Sequence, residues 1–132
     1  MFNELFRGGE RARVEQVAWG LRRQFETGVA YTERLKRLYM SLLTVPLDDP
    51  DLFFRRAQEL FPQGNCGIAT VALFDILGGQ ISKDATYRGV THTVLELGGR
   101  IVDITADQFG GPAVYFGKLS DPWHVRHWQF TS

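Results

Sequence analysis

Three residues of this chain have the types and the order that acyl transfer on an amide requires: Cys66, then His92, then Asp103. Cys66 is the only cysteine. It lies in Pro62-Gln63-Gly64-Asn65-Cys66-Gly67, a turn-forming run that opens onto the apolar stretch Ile68 to Leu77. A free thiol is mostly protonated at neutral pH, so a nucleophilic cysteine needs its pKa lowered. The N-terminus of a helix offers unpaired N–H groups and the positive end of the dipole, and a nearby imidazolium adds a full charge. His92 is placed to form a thiolate–imidazolium pair and then to protonate a leaving amine. Asp103 would accept a hydrogen bond from the second ring nitrogen and fix the tautomer. The oxyanion of the acyl step also needs donors. The backbone N–H of Cys66 is one candidate, and the side-chain amide of Gln63 or Asn65 is another. Gly64 and Gly67 would let substrate and backbone approach closely.

The elements that must hold these residues follow from periodicity. Val14, Val17, Ala18, Leu21 and Phe25 recur at helical spacing, with Arg11, Arg13, Arg22 and Arg23 on other faces. Tyr31, Leu35, Leu38 and Leu42 continue the pattern, either beyond a break at Gly28 or along one bent helix. Asp49-Pro50 supplies an N-cap and a first-turn proline for a third helix with the stripe Phe53, Ala57, Leu60 and Phe61, which Pro62 ends. Cys66 to Leu77 is apolar on nearly every face, as befits a helix at the centre of a domain, and Gly78-Gly79 stops it. Beyond a loop at Lys83-Asp84 the pattern changes to strands at Tyr87 to Leu97, Arg100 to Thr105, Ala113 to Gly117 and Val125 to Phe130. The expected fold is α+β: N-terminal helices and a central cysteine-bearing helix packed on an antiparallel sheet, one domain over 1–132 with a helical part (1–61) and a catalytic helix and sheet (62–132).

One hairpin yields a register. Gly98-Gly99 suits a two-residue turn in which both positions take positive φ. If Leu97 and Arg100 close it, His92 lies opposite Thr105 and Val94 opposite Asp103. His92 and Asp103 then share a sheet face as diagonal neighbours, about 7–8 Å apart at the backbone. Leu95, Leu97, Val102 and Ile104 fall together on the other face. A slip of one residue would destroy both groupings.

Each residue has a plainer reading when taken alone. A single cysteine is commonly a small buried hydrophobe, and a lone strand histidine or aspartate is commonly just polar surface. An ionisable group within Ile101-Val102-Asp103-Ile104, however, needs a partner. His124 and His127, between Trp123 and Trp128, are rivals to His92 as the base. The composition excludes other classes. Fifteen basic and fifteen acidic residues leave no net charge, which does not favour nucleic acid or anionic membrane. No ligand spacing supports a metal site, no cofactor is implied, and no apolar run is long enough to span a membrane. Met1 to Gly9 lacks the apolar stretch of a signal peptide.

The stretch from Phe61 to Ala69, then His92, then Ile101-Val102-Asp103-Ile104-Thr105-Ala106-Asp107-Gln108-Phe109 resembles the transglutaminase-like branch of the papain-like cysteine protein superfamily. The resemblance covers about Pro62 to Phe109. It implies Cys66 as nucleophile, His92 as general base and acid, and Asp103 as the orienting carboxylate. It further implies a cysteine-dependent amide hydrolase, first a protein glutamine deamidase of the bacterial effector or toxin type, with a small cysteine peptidase or a transglutaminase as the alternative. The partners implied are a protein substrate and an inhibitor or immunity protein. The place of action implied is the cytoplasm, or a target cell reached by a route independent of a signal peptide. A different class, a non-catalytic binding module, would use the helices from Glu10 to Leu43 as its partner surface. Two departures from the family pattern stand out: Thr93-Val94-Leu95 follows the histidine where many members carry an aromatic, and Gln63 is nearer the cysteine than the oxyanion glutamine of papain-like peptidases.

Overall fold

Helix α1 (Gly8–Thr27) buries Val14, Ala18, Leu21 and Phe25 along one stripe. The structure, a computed structural model, describes residues 8–44, 46–87 and 90–118. Gly28, at φ 85°, takes the left-handed conformation that ends α1, so the chain breaks there rather than bending as one helix. Thr32 then caps α2 (Glu33–Leu43) by accepting the Leu35 N–H at 3.0 Å. The buried stripe of α2 is Leu35, Tyr39 and Leu43 rather than one ending at Leu42, which is exposed. Asp49 caps α3 (Pro50–Leu60) through the Leu52 N–H, as the Asp-Pro pair predicts. Its inward residues are Phe54 and Ala57, while Leu60 faces out. In α4 (Cys66–Leu77), Ile68 to Leu73 are all buried, which requires neighbours on every side. Gly78 ends α4 by donating its N–H to the Phe74 carbonyl at 2.9 Å.

The sheet runs β1 (Gln80–Tyr87), β2 (Val90–Leu97), β3 (Arg100–Asp103) and β4 (Tyr115–Gly117), antiparallel and in that spatial order. The fold is therefore α+β, with four helices and a four-stranded antiparallel sheet among the described residues. Gly98 and Gly99 both have positive φ, and the pairs Leu97–Arg100, Glu96–Ile101 and Leu95–Val102 match the register read from the turn. Three boundaries differ from the sequence expectation. Lys83 and Asp84 belong to β1 rather than to a loop, in a stretch where the ladder shifts between Ser82 and Ala85. The strand begins early because Gly79, at φ 87°, passes so close to the Glu96 carbonyl that a Cβ would lie 2.5 Å from its oxygen. The chain thus leaves α4 directly onto β2. At the other end, β3 stops at Asp103, whose Oδ1 accepts the Thr105 N–H at 2.8 Å. A side chain that takes its neighbour's backbone donor competes with the ladder, and a 3₁₀ turn, η1 (Ala106–Phe109), follows. Finally, β4 starts at Tyr115 rather than Ala113. The expected strand from Val125 to Phe130, with His124 and His127, lies outside the described residues.

The main core places α4 between α1 and α2 on one side and the sheet on the other. Leu95, Val102 and Ile104 enter it from the sheet, with Leu97 packed against its edge. A second, smaller cluster of Val94, Ile101, Ala106 and Tyr115 packs with Phe109. Among the described residues no helix is long and apolar enough to cross a membrane.

Candidate active site

The first bond of α4 runs from the Ala69 N–H to the Asn65 carbonyl at 2.9 Å, so Cys66 stands at the positive end of the helix dipole. The preceding turn is tightly held. Gln63 N–H donates to the Leu60 carbonyl at 2.9 Å and Asn65 N–H to the Pro62 carbonyl at 3.3 Å, with Gly64 at φ 72° between them. The thiol is half-buried. His92 and the backbone of Thr93 lie near enough to favour its ionised form. The strand is pinned to the helix beside this contact, because Thr70 Oγ1 donates to the Thr93 carbonyl at 3.1 Å.

His92 is fully buried, and its Nε2 lies 2.9 Å from Asp103 Oδ2. That bond commits Nε2 to the carboxylate. Asp103 Oδ1 accepts from both the N–H and the hydroxyl of Thr105, at 2.8 and 3.1 Å. The carboxylate is therefore held on both oxygens. Phe109 meets the imidazole edge-on, with centroids 4.8 Å apart. His92 thus stands between Cys66, whose ionisation it influences, and Asp103, to which it is hydrogen-bonded; the second pairing is the one the hairpin register predicts.

The electrostatics follow from that arrangement. Burial pushes the Cys66 thiol up and the charge of Asp103 adds to this, but the hydrogen bond and charge of His92, with the Thr93 N–H, hold it below the ordinary thiol value. Burial pushes His92 down, yet Asp103 and Cys66 raise it from 6.5 to about 9. Both shifts favour thiolate paired with imidazolium.

Two of the expected oxyanion and substrate-binding residues have other roles. Asn65 is completely buried; its Nδ2 donates to the Ala57 and Gln63 carbonyls at 2.8 and 2.9 Å, and its Oδ1 accepts from the Tyr31 hydroxyl at 2.5 Å. Both amide hydrogens are taken, so Asn65 ties the turn to α3 and cannot stabilise an oxyanion. Gly67 admits α2 rather than substrate: a Cβ there would lie 3.1 Å from both Leu43 Cδ1 and Tyr39 Cε1. Gln63 is exposed and, with Gly64, forms one wall of a cavity of about 360 Å³ that Leu52, Phe53 and Leu60 line from α3. A Cβ built on Gly64 meets nothing, so that face of the turn is open. Among the described residues, no group of His, Cys, Asp and Glu is arranged to hold a metal ion.

Arg22, expected on an outer face of α1, is buried at the centre of a clamp. Its Nη1 donates to the Ile104 carbonyl at 2.9 Å, to Asp107 Oδ1 at 2.8 Å and to the Ala113 carbonyl at 3.2 Å. Nη2 reaches Asp107 Oδ2 at 2.7 Å, Nε pairs with Glu26 at 2.9 Å, and the guanidinium lies 4.8 Å over the Phe61 ring. One side chain thereby joins α1 to the segment after Asp103 and to the turn before Cys66. Thr93 and Arg22 escape sequence reasoning as parts of the site, and Phe109 enters it only as the end of the stretch that carries the resemblance. Only the i, i+4 spacing of Arg22 and Glu26 hinted at a pairing, and such spacing on a helix is usually solvent-facing.

The described site lies within the span of a family match. The family model described as YunG protein matches residues 54–127, a span that includes Cys66, His92 and Asp103. No curated protein and no solved structure matches the chain. With more than half of its length matched, the chain belongs to the YunG family.

Proposed function

We propose that this protein is a cysteine-dependent amide hydrolase in which Cys66 is the nucleophile, His92 the general base and acid, and Asp103 the residue that orients the imidazole. The observation that carries the proposal is the buried His92–Asp103 hydrogen bond of 2.9 Å beside the Cys66 thiol at the N-terminus of α4, with Cys66 and His92 each favouring the other's charged form. The thiolate adds to the amide carbon, and the imidazolium protonates the departing amine. Water, deprotonated by the now neutral His92, releases the acid. A papain-like or transglutaminase-like origin for the fold belongs to the same proposal and rests on the residues from Pro62 to Phe109.

The preferred substrate is a protein glutamine side chain. The described connections around Cys66 and His92 are short, which suits a single projecting amide better than a long peptide cleft. Proteolysis is the second reading, favoured by the cavity beside Gln63 and Gly64, which is large enough to seat a flanking side chain. The test is intact-mass analysis of candidate proteins after incubation with the wild type and with Cys66→Ala. Deamidation adds about one dalton per site and proteolysis fragments the chain. Substrates left unchanged across a broad protein panel by an enzyme with a demonstrably activated thiol would exclude both amide readings.

A further inference from the structure

Asn65, which directly precedes Cys66, is bonded to two walls of the cavity beside Gln63 and Gly64. Its Nδ2 donates to the Ala57 carbonyl at 2.8 Å and to the Gln63 carbonyl at 2.9 Å, and both of those residues line the cavity. Gly64, another lining residue, stands two positions before Cys66, so their Cα atoms are at most about 7 Å apart. Cavity and nucleophile are thus mounted on one turn that a buried amide holds rigid. The volume of about 360 Å³ is that of a small-ligand site. Its walls are mainly apolar: Leu47, Leu52, Phe53 and Leu60. Phe53 is fixed by stacking on Tyr39 with centroids 5.8 Å apart, whereas Leu60 is 59% exposed. No atom lies within 4 Å of a Cβ built on Gly64, so a bound chain can lie against the turn there.

We propose that this cavity is a substrate subsite that takes a bulky apolar side chain, the size of leucine or phenylalanine, from the protein segment that carries the target amide. The inference rests on the amide-hydrolase reading above and adds the sequence class of the substrate. An extended chain advances about 3.3 Å per residue, so the apolar residue lies within about three positions of the amide held at Cys66. That requirement is the same for a glutamine side chain and for a peptide bond. The apolar group gains from every methylene it buries against the leucines and Phe53. Asp48, Asp49 and Arg56 also line the cavity, with charges of both signs, so apolar contact rather than charge sets the preference. By bonding Ala57 and Gln63, Asn65 sets the spacing between subsite and thiol.

The experiment alkylates Cys66 with iodoacetamide and with its N-butyl, N-hexyl and N-octyl derivatives. In each reaction the thiolate displaces iodide, and the tail is free to enter the cavity. Rate constants are followed by intact mass and divided by those of glutathione with the same reagent, which removes differences in intrinsic reactivity. The ratio of tailed to parent reagent is read within each protein, so a change in thiol reactivity common to both cancels. In the wild type the best tail should react about tenfold or more faster than the parent, at a rate that saturates with reagent concentration. Leu60→Asp, at a position already exposed to water, should lower that ratio by about threefold or more, and Leu60→Met should keep it. A ratio near one for every tail, or a preference undiminished in Leu60→Asp, would overturn the subsite while leaving the Cys66–His92 chemistry standing. A wild type that reacts with iodoacetamide no faster than His92→Ala would instead defeat the amide-hydrolase reading and this inference with it.

Discussion

Burial opposes the charged forms of both Cys66 and His92, so each depends on the other to ionise. Cys66→Ala should abolish amide hydrolysis and leave the circular dichroism spectrum and melting transition near those of wild type. The raised His92 pKa sets a pH limit. Its proton is needed by the leaving amine, so hydrolysis should fall as the pH rises through about 9. Alkylation of Cys66, which needs only the thiolate, should not fall there. The same shifts bear on folding with opposite signs. The stabilisation from His92 is complete below about pH 6.5 and is lost as the pH rises through about 9. That from Cys66 is complete above the ordinary thiol range and is lost as the pH falls through its lowered value. The two slopes oppose each other in the neutral range, so urea midpoints there should depend less on pH than either group alone would make them. Asp103→Asn removes the negative charge that faces His92 Nε2 but keeps an oxygen for Thr105. It should lower kcat by roughly 10²- to 10⁴-fold and stability by about 1–3 kcal/mol, separable by kinetics and denaturant titration.

At the level of elements, the sequence was most legible where one residue type dictated geometry. Gly98-Gly99 fixed the turn, the turn fixed the register, and the register brought His92 and Asp103 together. The cap at Asp49 and the stop at Gly78 were legible for the same reason. Contacts between distant segments were not. Nothing in the local pattern around Arg22 points to Ile104, Asp107 or Ala113, more than eighty residues away, and β1 was obscured because Lys83 and Asp84 resemble a loop. Sequence does not distinguish the two roles open to Asn65, because a polar residue beside a nucleophile suits catalysis and a buried turn equally well. Arg22→Met should destabilise the protein by about 2–3 kcal/mol, below the usual penalty for a broken buried pair because Asp107 keeps contact with water. Chemical denaturation measures this, and Cys66 alkylation should slow as the Asp103 segment loosens. Gly67→Ala should cost about 1 kcal/mol, since its new methyl presses on Leu43 and Tyr39.

For the molecule as a whole, α4 is the axis on which both halves close, and the helical first half is the frame of the site. Tyr31 holds the turn before Cys66, Tyr39 packs on the residue after it, and Arg22 grips the segment after Asp103. The central claim is that His92 holds Cys66 as a thiolate, and the single cysteine of the chain makes it directly measurable. The measurement is the pH dependence of Cys66 alkylation by iodoacetamide, followed by intact mass in the wild type and in His92→Ala. The wild type should titrate with an apparent pKa below the ordinary thiol value of about 8.5. In His92→Ala, where burial acts with less opposition, the titration should move upward past the wild-type value. An unperturbed thiol titration, identical in both proteins, would contradict the account.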